Sequence, residues 1–448
     1  MRRFIVTSFI LALPFLVSCG GNSDAMSNET AAASAASSSG ATSASGASAP
    51  ATLAADASDA TSAATAASAP ANIATNLSNL TTDVPDNVLP VSVQTPNHDI
   101  NRALVSVTVC VPGTSMCETV DDVMVDTGSV GLRLQRSALK HPEFFSAMAG
   151  PDAHALAECY RFVSSAAWGV VTRADVRLAA IQTSSVPIQI VDEASASYGD
   201  HGRPESCSNA SKPTSNQTLG IAPVSLNDCK DPCFISLEAP RYYECTAASC
   251  LPIAKPVPAT FRVVHPIAAL PSDNNGYVLD VQAVPEAGAI ATPGTLTLGI
   301  GTRSNNALDV TNVVDLAPDG TFTTVWNGHA YSASYFDTGT ENYYFATSPS
   351  HAYKCGFYWC ATPEAEFSAT LKGQTKEATT NFRVGDSASL LSSGKGAFRN
   401  VAIVAGNDSR AFVWGMPFFV GRKVFVGLTD GSSASGNAYY AFSDATFP

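Results

Sequence analysis

The chain has 448 residues, 45% apolar and 8% aromatic, and a formal net charge of −13, with 25 Lys and Arg against 38 Asp and Glu. So acidic a balance excludes a nucleic-acid-binding surface, and no basic amphipathic helix points to peripheral membrane binding. Taken from the N-terminus, Arg2 and Arg3 precede an apolar run from Phe4 to Val17, the pattern of a basic n-region and an h-region in an export signal. The run is shorter than the roughly 20 apolar residues that span a bilayer, and no later segment approaches that length.

The run ends in Leu16-Val17-Ser18-Cys19-Gly20, which resembles the lipobox of bacterial lipoproteins. The resemblance implies a signal peptide over residues 1–18, lipidation of the Cys19 thiol, and a bacterial-envelope protein whose membrane contact is that lipid. Gly20 and Gly21 lack the aspartate associated with inner-membrane retention, which favours the outer membrane, on its periplasmic or surface face. Residues 19–87 are nearly all Ala, Ser, Thr, Gly and Asn up to about Leu80. They lack the branched and aromatic side chains that offset ordering entropy, so a disordered tether is expected, with a reach of about 40–45 Å.

Of 11 cysteines, removing Cys19 leaves an even ten, which in an exported chain reads as disulfides rather than metal ligands. Cys110 and Cys117 flank a Pro-Gly turn, and Cys355 and Cys360 flank Gly-Phe-Tyr-Trp, so each pair could staple a local hairpin. Connectivity among Cys229, Cys233, Cys245 and Cys250 stays open. No histidine stands at ligand spacing among them, so neither a metal nor a cofactor is expected.

From Val88 onward the texture is that of strands: Ala103–Val109, Val186–Val191, Thr295–Ile300 and Lys423–Leu428 alternate apolar and polar residues between Gly, Pro, Asn and Asp clusters. The best helical signal is Arg136 to Gly150. The seven histidines stand mostly beside Pro, Gly or Ser and read as surface residues. So long a stretch of strand exceeds one sandwich, and two β lobes, 88–280 and 281–448, are the natural division.

One long-range echo carries the chemistry. Val123-Met124-Val125-Asp126-Thr127-Gly128-Ser129 and Tyr335-Phe336-Asp337-Thr338-Gly339-Thr340 each run an apolar strand into Asp-Thr-Gly and a hydroxyl. One copy is an ordinary turn after a strand. Two copies point to a pair of carboxyls, which when about 3 Å apart cannot both ionise and share a proton. Such a pair can take a proton from water on one side and give one to a carbonyl oxygen on the other. The glycines permit the sharp turn, Thr127 and Thr338 would brace the loops, and Ser129 and Thr340 would hold the carboxylates in plane.

The pattern resembles the pepsin-like aspartic peptidases of the retropepsin/pepsin clan, in a branch of Gram-negative lipoproteins. The likeness extends to the apolar-apolar-Gly segments Thr218–Ala222 and Phe412–Pro417, the strand Gly294–Gly301 and the closing run Phe418–Leu428. It implies an all-β fold, a bilobed double β-barrel with the active-site cleft between the lobes. It also implies an endopeptidase with Asp126 and Asp337 as catalytic dyad, acting on extended peptide or protein substrates as a monomer. The alternative is a non-catalytic binding or structural protein of that fold, although relatives of that kind commonly lose an aspartate. The family's flap maps to Cys159–Val170 without its Tyr-Gly-Thr-Gly signature. There Phe162 takes the tyrosine's place, with Tyr160 two residues earlier on the same face and Trp168 further on, any of which could meet substrate. Glu341 stands where the family has a small or hydroxylated residue, and would raise the dyad's pKa, favour basic substrate side chains, or point to solvent.

Overall fold

The structure, a computed structural model, describes residues 84–95, 99–163, 165–192, 204, 207, 212–213, 217–224, 241–253, 257–346, 353–406, 410–428 and 438–447. Cys19, the signal peptide and most of the tether lie outside the described residues, as do Cys229 and Cys233.

Alternation becomes pleat. The predicted strands are present as Arg102–Cys110, Val186–Val191, Thr292–Leu298 and Lys423–Gly427, and their β-branched residues fill the inward face. The fold is all-β, bilobed and pepsin-like, with two sheets of 17 and eight strands among the described residues. The larger sheet is not confined to one half of the chain. An antiparallel run leads from Arg102–Cys110 through Val88–Gln94, Thr292–Leu298, Gly276–Val281 and Lys423–Gly427 to Tyr439–Phe442 and Asn312–Asp315. Gly276–Val281, at whose end the two lobes were expected to divide, is therefore hydrogen-bonded on one edge to Thr292–Leu298 and on the other to Lys423–Gly427. The smaller sheet is built from residues between Phe322 and Gly415.

The two halves support their aspartate strands differently. Around Val123 and Val125 the core is aliphatic, with Val105, Val107, Leu132, Leu134, Leu219 and Ile221 all buried. Around Phe336 it is aromatic. Its ring lies 4.6 Å from Phe418 and 4.5 Å from Tyr440, while the buried indole of Trp414 donates from Nε1 to Thr324 Oγ1 at 3.0 Å. Burying one such side chain is worth about 1.5–3 kcal/mol, so either core suffices to fix a loop at its edge.

Cys110–Cys117 and Cys355–Cys360 close their hairpins as the spacing suggested. Cys245–Cys250 forms a further short staple, and Cys159–Cys207 ties the predicted flap to the segment after it. Two expectations are corrected. The helix over Arg136–Gly150 is two short 3₁₀ turns, Arg136–Ala138 and Pro142–Phe144. Pro142 cannot continue a helical ladder, and the Glu118 carboxylate accepts the backbone N–H groups of Lys140 and His141 at 2.6 and 2.8 Å. His265 is not on the surface but fully buried. Its Nδ1 accepts from the Ala268 amide at 3.1 Å.

Candidate active site

Asp126 ends the strand Cys117–Asp126 and Asp337 ends His329–Asp337. Each strand end is threaded from behind by a Gly-bearing strand. Thr218–Ile221 runs parallel to the first with Gly220 opposite Asp126, and Val413–Gly415 runs parallel to the second with Gly415 opposite Asp337. Both threading strands also pair antiparallel with the strand that leaves the loop. These are the two apolar-apolar-Gly segments of the sequence, and their glycines let the backbones cross. A Cβ on Gly220 would lie 2.7 Å from Ser129 Oγ, and one on Gly415 would lie 2.1 Å from the Asn342 carbonyl oxygen.

The loops interlock with two-fold symmetry. The Thr127 amide donates to Thr338 Oγ1 and the Thr338 amide to Thr127 Oγ1, both at 3.0 Å. Each threonine hydroxyl in turn donates to the strand opposite: Thr338 Oγ1 to the Val125 carbonyl at 2.7 Å, Thr127 Oγ1 to that of Phe336 at 3.3 Å. The carboxyls are held alike. Asp126 accepts from the Gly128 amide at 2.8 Å and from Ser129 Oγ at 2.5 Å. Asp337 accepts from the Gly339 amide at 2.8 Å and from Thr340 Oγ1 at 2.7 Å. Hydrogen and methyl are the only choices at Gly128 and Gly339 that matter, and methyl fails. A Cβ on Gly128 would stand 2.7 Å from Asp337 Cγ, and one on Gly339 2.8 Å from Asp126 Oδ1.

The two carboxyls converge, since a Cβ on Gly339 would lie 2.8 Å from Asp126 Oδ1 and 3.0 Å from Asp337 Oδ1, and both are buried, at 0% and 1% exposure. Burial, then the charge of Asp337 beside it, pushes Asp126 up to about 8, against the pull of Ser129 and Gly128. Burial also raises Asp337, opposed by its bonds to Thr340 and Gly339, by the neighbouring Asp126 and by the Arg102 guanidinium. The pair therefore retains one proton well above the ordinary carboxylate range, and that proton belongs to the pair.

Of the flanking residues, Tyr160 reaches the dyad's surroundings. It lies on Ala155–Arg161, which forms a hairpin with Ser165–Leu178. Burial raises its phenol, the Arg133 and Arg241 charges lower it, and Asp126 and Glu158 raise it further. Phe162 lies at the hairpin tip, its amide bonded to the Ser165 carbonyl at 2.8 Å, and packs edge-on against Tyr160 at 4.9 Å. Trp168 does not face the dyad. It is 1% exposed and packs with Cys159, Cys207 and Tyr243. Glu341 is buried and does not point to solvent. Its Oε1 lies 2.7 Å from buried Arg102, whose other nitrogen donates to the Gly339 carbonyl at 3.0 Å. Asn101 bonds the Glu341 carbonyl at 2.7 Å, so the acidic side chain helps fasten the second loop and its charge is offset by a guanidinium.

Sequence reading missed the buried charges beside the site: Arg102, Arg133, Glu158 and Arg241, none more than 9% exposed. Their signal was present in Val130-Gly131-Leu132-Arg133-Leu134, where an arginine interrupts an otherwise apolar strand.

Fold and site together define a pepsin-like, two-lobed architecture whose paired Asp-Thr-Gly loops meet at one point. By sequence the chain belongs to the family described as Protein of unknown function (DUF3443), whose model matches residues 83–442. No curated protein matches it. Among solved structures it is similar to the crystal structure of an aspartic proteinase from Irpex lacteus, with 15% identity and a TM-score of 0.46 over 80% of this chain and 97% of that one.

Proposed function

We propose that the chain is an aspartic endopeptidase that hydrolyses extended peptides with a water activated between Asp126 and Asp337. One observation carries the reading: two buried carboxyls from symmetry-matched loops, each with the same hydroxyl and amide donors, converge on one point. In the singly protonated pair, the ionised carboxyl takes a proton from water as the oxygen attacks the peptide carbonyl. The protonated carboxyl gives its proton to the carbonyl oxygen, leaving a neutral gem-diol. Proton return to the amine then releases both products and restores the pair. Thr127, Gly128, Ser129, Thr338, Gly339 and Thr340 support the dyad, while Tyr160 and Phe162 belong to a hairpin that covers substrate. Lipidation at Cys19 and a tether over residues 19–87 would place the enzyme at the bacterial envelope, on the outer membrane, as a monomer.

The test is cleavage of a peptide library by the full processed chain across acid to neutral pH, with Asp126→Ala, Asp337→Ala and a pepstatin-type analogue. Cleavage that both substitutions abolish and the analogue blocks is expected. No cleavage at any pH and no analogue binding would overturn the reading. Analogue binding without cleavage would favour the non-catalytic alternative, which the 0% and 1% exposure of the two carboxyls also suits.

A further inference from the structure

Beside Asp126 the protein buries three charges that the dyad's chemistry does not use. Arg133, on the strand leaving the first loop, directs one guanidinium nitrogen at both Glu158 oxygens, 3.2 Å from each. Arg241 donates from Nε to Glu158 Oε1 at 2.8 Å. Arg133 and Glu158 are 0% exposed and Arg241 9%. Both guanidinium groups lie over one ring, that of Tyr160, at 3.5 Å for Arg133 and 4.8 Å for Arg241. The other terminal nitrogen of Arg133 donates to the carbonyls of Val130 at 2.9 Å and Gly131 at 3.3 Å, the residues next after Ser129. Glu158 holds the strand behind as well, since Gln189 bonds its carbonyl at 2.8 Å.

We propose that Arg133, Glu158 and Arg241 form a clamp that fixes the Tyr160 ring against the strand leaving the Asp126 loop, with Arg133 as the positioning residue. A buried charge triad is poor value as stability, because desolvation cancels most of the attraction. Its geometry does what apolar packing cannot. A flat guanidinium stacks on a ring face while its edge is fixed by a carboxylate and two carbonyls. One side chain thus ties the strand that leaves the Asp126 loop, the hairpin strand and the hairpin aromatic into one rigid unit. Hairpin opening is then left to the tip, where Val163 is 66% exposed. The clamp's catalytic consequence rests on the peptidase reading above, whereas its hold on the ring does not.

The test is Arg133→Lys in the full chain, which keeps the charge and removes the planar stack. Ring-labelled tyrosine spectra, with the Tyr160 signals assigned by their loss in Tyr160→Phe, read ring flipping directly. Slow flipping in the parent and fast flipping in Arg133→Lys are expected. Alongside this, kcat should fall roughly 30-fold with KM unchanged, equivalent to about 2 kcal/mol. Should Arg133→Lys fail to fold, the triple apolar replacement Arg133→Met, Glu158→Leu, Arg241→Met separates the effects. Such replacements are often neutral in stability, yet this one should show the same fast ring and the same loss in kcat. Unchanged ring dynamics, or a freed ring with unchanged kcat, would overturn the clamp. If the parent cleaves nothing, the peptidase reading falls and ring dynamics alone decide the clamp.

Discussion

Asp126→Asn should make the protein more stable, and increasingly so as pH rises. Asp126 sits near 3.9 in an unfolded chain, and in the folded protein burial and the charge of Asp337 push it up to about 8. A folded-state pKa raised in this way contributes stability that is complete below the unfolded value and is lost as pH climbs through the folded one. Between the two, wild-type unfolding free energy should fall by about 1.4 kcal/mol per pH unit on account of this group, a loss of about 4 kcal/mol by pH 7. Asparagine keeps an acceptor for the Gly128 amide and turns its N–H₂ to Ser129 Oγ, which can accept, and it brings no second charge into the site. Urea unfolding of parent and variant at intervals from about pH 4 to 8 measures the difference. The two should coincide at the acid end and separate steadily towards neutrality. A gap that stays constant, or widens towards acid, would refute the account of the pair as a buried proton trap.

Two further outcomes follow from buried charge. His265 is pushed down to about 4 by burial, its ring near the Ile221 and Ala222 carbonyls. Its contribution to stability is therefore full above about pH 6.5 and lost on acidification through 4, costing roughly 2–3 kcal/mol at pH 4.5; His265→Gln should flatten that acid limb in a pH series of thermal melts. Arg102→Met removes the ion-pair partner of buried Glu341 and should cost about 3–5 kcal/mol by urea unfolding, with Arg102→Met/Glu341→Leu recovering most of it. Equal losses in the single and double variants would show that Glu341 does not depend on Arg102.

The loops were legible because their chemistry is local. Asp-Thr-Gly with a hydroxyl, repeated after two apolar strands, placed Asp126 and Asp337, and the threading segments around Gly220 and Gly415 could be read from their own residue types. What sequence did not reveal depends on distant partners. Glu341 looked like a third acid at the site because nothing near it in sequence announces that Arg102 will arrive at 2.7 Å. Trp168 could be read as meeting substrate or as packing, and only its neighbours Cys159, Cys207 and Tyr243, two of them distant in sequence, show that it packs. The helix from Arg136 failed because the Glu118 carboxylate, from an earlier strand, captures two amides that a helix would have used. His265 stands beside a proline in sequence and within the core in space.

The sheet shared by the two halves also governs the order in which the molecule can be assembled. The strand at Val88–Gln94 lies against Thr292–Leu298, and Gly276–Val281 lies against Lys423–Gly427. As the chain emerges, the opening strand can pair at once with Arg102–Cys110 on one edge, but its other edge waits for a partner some two hundred residues further on, and the sheet stays incomplete until the closing strands appear. Such late, distant pairings make folding slow and leave strand edges open for longer. The halves are thus not separate apprentices joined at the end. The sheet that joins the halves holding Asp126 and Asp337 is completed only when Lys423–Gly427 and Tyr439–Phe442 have been laid down.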